Sequence, residues 1–193
     1  MEEQTMEVQT VEEQTIEEQT TGCLVCGAPL EYLQSQIEME CTYCHKTFMS
    51  NARCMNGHFI CDSCHEQMGL RVIEDICRHT DSKDPVAIMK KIILSPYIYM
   101  HGPEHHVLVG SALLAAYKNA GGELDLDAAL EEMRNRGAQV PGGICGLWGT
   151  CGAAVSTGIF VSLITGASPL SGKEWGLCNE MTSRSLGAIA KTG

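Results

Sequence analysis

From residue 84 onward the apolar residues recur at intervals of three and four, the spacing that lines one face of a helix. Val86, Ile88, Met89, Ile92 and Ile93 follow Asp84-Pro85, a capping residue with proline at the first helical position, and Pro96 closes the run. A second helix is predicted after Pro103, through Val109, Leu113, Ala116 and Tyr117, and is stopped by Gly121-Gly122. Asp125 or Asp127 caps a third through Leu130 and Met133 to Gly137. A fourth, built of small residues, runs from Thr150 to about Thr165, and a fifth covers Asn179 to Ala190. Convincing strand alternation is absent outside residues 22–66, and residues 67–100 read as a connecting stretch around the first of these helices. The pattern predicts a mainly α protein in which a small Cys/His module precedes a Gly-rich helical domain.

Composition changes the picture at the N-terminus. Residues 1–21 repeat MEEQT-MEVQT-VEEQT-IEEQT and read as a disordered acidic tail. That tail holds seven of the glutamates behind the net charge of -11, so the remainder is only mildly acidic. It has no cluster of Lys and Arg, which argues against nucleic acid and anionic membranes as partners. No charged side chain occurs from Gly137 to Gly172, yet its most apolar part, Ala153 to Thr165, is shorter than the roughly 20 residues a spanning helix needs. No signal peptide precedes the cysteines, so a reducing, cytoplasmic setting is expected. Three segments result: 1–21, a module at 22–66 and a helical Cys/His domain at 67–193.

Within the module the cysteines carry the chemistry. Cys23-x-x-Cys26 and Cys41-x-x-Cys44 are followed by Cys54-x-x-x-His58 and Cys61-x-x-Cys64. One tight turn presents two such side chains to a metal, and two turns complete a tetrahedron, so the eight residues predict two zinc ions in closed, structural sites. The pairs combine either in sequence, as in a ribbon, or cross-braced, the first with the third and the second with the fourth. His45 and His65 adjoin ligand cysteines and are read as solvent-facing, with replacement ligation as the alternative.

The helical domain has a second concentration of chemistry. Cys145 and Cys151 lie in a segment with five glycines among residues 142–152, and Cys151 stands near a predicted helix start, where the dipole favours a thiolate. Cys178 is the natural third ligand if these cysteines hold an iron–sulfur cluster or another metal, with Cys77 or a histidine as fourth. A thiol-redox pair and cysteines that only pack are the other readings. His101-Gly-Pro-Glu-His-His106 supplies candidate acid/base or metal-binding groups in His101, Glu104 and His105. His105 and His106 diverge by about 100° on a helix, so both are not expected to face one metal.

The Cys54–Cys64 segment resembles the central part of RING-type domains, which are cross-braced, but the final C-x-x-C of that family is missing, which speaks against ubiquitin-ligase activity. Together, Cys54 to His65, the HGPEHH string and Gly143-Ile-Cys-Gly-Leu-Trp-Gly-Thr-Cys-Gly-Ala-Ala154 resemble, over residues 22–193, a Cys-rich family of bacteria and archaea known only as a domain of unknown function. The resemblance implies a cytoplasmic protein encoded near radical-SAM or methyltransferase genes, and no established reaction. The Gly149–Gly158 turn is similar to a second family of small redox-like proteins with a G-x-C-G-A-x-x-G helix, with the last glycine offset. The expectation is a zinc metalloprotein with a Cys/His pocket for a cluster, metal or thiol chemistry, serving such a system. The alternative is a non-catalytic adaptor with zinc only, and either reading anticipates a protein partner.

Overall fold

A computed structural model describes residues 22–99 and 102–192, so the acidic repeat tail and the candidate His101 lie outside the described residues. The chain divides into two compact units. The first takes in the described residues through Met68 with Leu94–Tyr97, and the second Gly69–Ile93 with Ile98–Gly193.

The first unit is built on an antiparallel hairpin, β1 (Leu30–Glu40) and β2 (Thr47–Cys54), whose register pairs Leu30 with Cys54 at one end and Glu40 with Thr47 at the other. The register shifts between Tyr32 and Ile37. A two-stranded hairpin is at best marginally stable in water. Its buried residues are Met39, His65 and the cysteines 23, 41, 54 and 61, so the prospective metal ligands take the place of an apolar core. After the hairpin, α1 (Asp62–His79) starts inside the last C-x-x-C pair and continues into the second unit.

The second unit is helical: α2 (Pro85–Ile93), α3 (His105–Asn119), α4 (Leu126–Gly137), the single turn α5 (Ile144–Leu147), α6 (Gly152–Thr165) and α7 (Gly172–Ile189). Asp84 caps α2 through a bond from the Val86 N–H at 2.9 Å, and Asp125 caps α4 through one from Ala128 at 3.2 Å, so both proposed caps are in place. The central helix is α3, apolar nearly all round, which packs on α2, α4 and α6. Its Leu108, Leu114 and Ala115 join Leu70, Ile73 and Cys77 of α1, Ile88 and Ile92 of α2, and Leu130 and Met133 of α4 in one core. Small residues let α6 approach on two sides. On one, the Gly110 N–H donates to Ser156 Oγ at 2.8 Å; on the other, a Cβ at Gly158 would meet the Thr182 hydroxyl and stand 3.1 Å from the Cys178 carbonyl oxygen.

Three elements differ from the sequence reading. The stretch 67–100 is more helical than expected, because α1 occupies its first thirteen residues, with Leu70, Ile73 and Cys77 on its buried side. The last helix starts at Gly172, seven residues before the predicted Asn179, since Gly172 and Gly176 hide the start in a propensity reading. The Gly-rich segment contains the short α5. Among the described residues, no helix is long and apolar enough to cross a membrane.

Candidate metal centres and a Cys/His cavity

The hairpin explains how the four ligand pairs combine. The first pair precedes β1 and the second follows it, so an eleven-residue strand, about 35 Å when extended, separates them. Antiparallel return brings the chain after β2 back beside the chain before β1. Accordingly Cys23, Cys26, Cys54 and His58 converge at one end of the hairpin, and Cys41, Cys44, Cys61 and Cys64 converge at the other, the ligand atoms of each group lying within 4.8 Å of one another.

Each of the first three pairs sits on a tight turn closed by a backbone bond to the carbonyl of its first ligand, four residues on in the first two pairs and three in the third. The Gly27 N–H donates to the Cys23 carbonyl at 2.7 Å, His45 to Cys41 at 2.9 Å and Gly57 to Cys54 at 2.8 Å. All three donors have left-handed backbone, with φ of 71°, 59° and 85°. Glycine adopts it without strain, and His45 is held there with its ring bound to Glu40 at 2.8 Å. That bond points His45 to the surface, as the sequence suggested. His65 departs from expectation, being 3% exposed with its ring 6.4 Å from that of Tyr97. The last ligand pair uses the first turn of α1 instead.

The spacings fit zinc. A tetrahedral ion with Zn–S near 2.3 Å and Zn–N near 2.0 Å sets ligand atoms about 3.8 Å apart for two sulfurs and about 3.6 Å for sulfur and nitrogen. Cys26 and Cys54 Sγ are 3.9 Å apart, Cys44 and Cys61 Sγ 3.8 Å, and His58 Nδ1 stands 3.3, 3.4 and 3.9 Å from Cys26, Cys54 and Cys23. Electrostatics makes the same demand. The Ala28 N–H and the Asn56 amide hold the Cys26 thiol down to about 6. Burial alone would raise Cys41, but N–H groups of Cys61, Cys44 and Tyr43 outweigh it and bring the thiol to about 6. Cys64 is pushed up to about 12, first by burial and then by the neighbouring sulfurs of Cys61, Cys44 and Cys41. Four thiols at one point cannot all ionise unless a cation offsets their mutual repulsion. Two groups of Cys and His ligands able to hold a metal ion are therefore present.

In the helical unit, Cys145, Cys151, His105 and His106 line one cavity of about 310 Å³, walled by Gly102, Pro103, Gly142, Gly143, Gly152 and Ala153. Both histidines face it despite their divergence on α3. Each ring is fixed by a backbone carbonyl: His105 Nε2 donates to Tyr99 at 2.8 Å, and His106 Nδ1 donates to Val140 at 3.1 Å. The free nitrogens are then Nδ1 of His105 and Nε2 of His106. Cys151 is the N-cap of α6, and the His106 ring packs on Gly152 so closely that a Cβ there would collide with it. Glu104, just before α3, is 2% exposed and does not line the cavity. Cys178 lies elsewhere, in a cavity of about 560 Å³ between α6 and α7 with Ser162, Asn179 and Thr182. Cys77 is buried in the core, so neither completes a ligand set with Cys145 and Cys151. Among the described residues no third group of three or more His, Cys, Asp or Glu ligand atoms converges within 4.8 Å.

His106 was weighed in the sequence against His105 but not counted among the candidate site residues. Its signal was the four-residue spacing from His106 to Gly110 on α3, matched by Gly152 to Ser156 on α6, which places small residues opposite both.

No curated protein and no solved structure matches the chain. A family of unknown function, DUF5714, matches residues 73–193, a span that contains the Cys/His cavity and leaves both metal-ligand groups outside it. The chain belongs to that family of unknown function.

Proposed function

We propose that this is a cytoplasmic zinc metalloprotein in which a cross-braced module at residues 22–66 holds two structural zinc ions, and in which the helical domain at 67–193 works through its Cys/His cavity. The observation that carries the reading is the convergence of eight ligands into two complete sets of four, one S₃N and one S₄, at tetrahedral spacing. Complete sets leave no open position, which suits structure rather than catalysis at the zinc. The chemistry lies in the cavity, where two imidazoles and two thiols surround a space large enough for a small substrate group. The cavity suits thiol chemistry rather than an iron–sulfur cluster, because Cys178 lines a different cavity and leaves two thiols at this one. Service to a radical-SAM or methyltransferase system rests on the sequence resemblance alone.

A second reading has an observation of its own. Tyr32, Met49 and Met55 are 74%, 57% and 68% exposed on and beside the hairpin, large apolar side chains that a protein partner would cover, as an adaptor would need. Elemental analysis of freshly purified, unchelated protein tests the zinc claim: two zinc ions per chain are expected, and one or none contradicts it. Substituting Cys61→Ser should unfold the module, because a structural zinc site supplies roughly 10–16 kcal/mol that this small core cannot replace.

A further inference from the structure

We propose that the Cys/His cavity is a dithiol exchange site for small disulfides, with Cys151 as the attacking thiol, His106 Nε2 as its proton acceptor and Cys145 as the resolving thiol. This rests on the reading that the cavity is the working site of the helical domain. The contrast with the zinc groups points to it. There, four ligand atoms close to within 4.8 Å, leaving room for an ion; here, the same residue types stand back around about 310 Å³. A cavity of that size between two thiols and two bases admits a substrate's sulfur atoms.

The parts line one cavity. Cys151 caps the 14-residue α6 without a side-chain hydrogen bond to the helix start, so its sulfur is not engaged there, and the residue lines the cavity. The His106 ring lies against Gly152, the next residue, and the Val140 carbonyl keeps its proton on Nδ1, leaving Nε2 as the base. Cys145 is exposed on α5, a single helical turn between Gly143 and Gly149, both with left-handed backbone. That turn has few ties to the core, as the exposure of Leu147 and Trp148 shows, so it can carry Cys145 toward Cys151.

The steps balance. The Cys151 thiol gives its proton to His106 Nε2, and its sulfur attacks one sulfur of the substrate disulfide. A mixed disulfide forms, the substrate S–S bond breaks, and the departing thiolate takes the proton back from the imidazolium. Cys145 then passes its proton to the same nitrogen and attacks the Cys151 sulfur, closing a Cys145–Cys151 disulfide and releasing the second product as a thiol. Two electrons leave the protein's thiols and reduce one disulfide to two thiols. An external thiol reductant returns the cavity to its starting state by the reverse exchange.

The full zinc-loaded chain treated with bis(2-hydroxyethyl) disulfide at neutral pH tests this, read by intact mass and peptide mapping. The wild type should form one Cys145–Cys151 disulfide. In Cys145→Ser a mixed disulfide should accumulate on Cys151, at least about tenfold faster than any adduct forms on Cys145 in Cys151→Ser, the direction expected if Cys151 is the thiol whose proton His106 takes. His106→Gln should slow the Cys151 adduct about a hundredfold, the usual worth of a positioned base. Should His106→Gln fail to fold, the two cysteine variants and the wild-type disulfide still decide. Absence of the wild-type disulfide, faster modification of Cys145 than of Cys151, or an unchanged rate in a folded His106→Gln would overturn the proposal. Zinc content measured on the same samples separates this failure from failure of the zinc module.

Discussion

Cys77 lies fully buried on α1 in the same apolar core as Ile73, Ile88 and Ile92, and that burial pushes its thiol from the ordinary 9.0 up to about 12. The contrast with Cys145 and Cys151, which reach a cavity, is one of environment alone, and spacing in the sequence could not separate them. A raised thiol means that the folded protein holds its proton more tightly than the unfolded chain. The resulting stability is complete below about 9 and is lost as pH rises toward about 12. Denaturant midpoints of the helical unit should therefore fall between pH 8 and pH 10.5 more steeply for the wild type than for Cys77→Ala. Equal slopes would show that the buried thiol does not control alkaline stability.

At the scale of elements, the helices with plain apolar rows were legible: α2, α3 and α4 appear with the caps Asp84 and Asp125 that their sequences advertise. The elements that were harder to read share a cause. α1 begins within the Cys61–Cys64 pair, so one segment carries both prospective ligands and helix, and the ligand pattern hid the helical one. α7 opens with glycines and carries no fully buried residue, so neither propensity nor periodicity marks its start. What fixes α7 is close approach to α6 at Gly158. Gly158→Ala puts a methyl group against Thr182 and the Cys178 carbonyl, backbone that cannot swing aside, and should destabilise the helical unit by about 1–3 kcal/mol. A denaturant midpoint shifted accordingly, with helix content kept, is the expected result; an unchanged midpoint would mean that the α6–α7 contact relaxes freely.

For the whole molecule, the seven cysteines and one histidine at 23–64 announced two candidate metal sites, but their pairing was not in the spacing. It depends on β1 and β2 being antiparallel, a long-range fact that places the first pair beside the third and the hairpin turn beside the fourth. The cavity was partly legible for a similar reason: the sequence named Cys145, Cys151 and His105, while packing of α3 on α6 added His106 and left Cys178 outside. Cadmium-113 NMR of the cadmium-exchanged protein tests the zinc account most directly, since each donor set gives its own resonance. Two resonances from the module are expected, one for Cys23, Cys26, Cys54 and His58 and one for Cys41, Cys44, Cys61 and Cys64. Replacing Cys26→His should move only the S₃N resonance, toward an S₂N₂ position, and leave the S₄ resonance where it was; movement of the S₄ resonance instead would mean that Cys26 shares its ion with Cys41 and Cys44, and would contradict the cross-braced module.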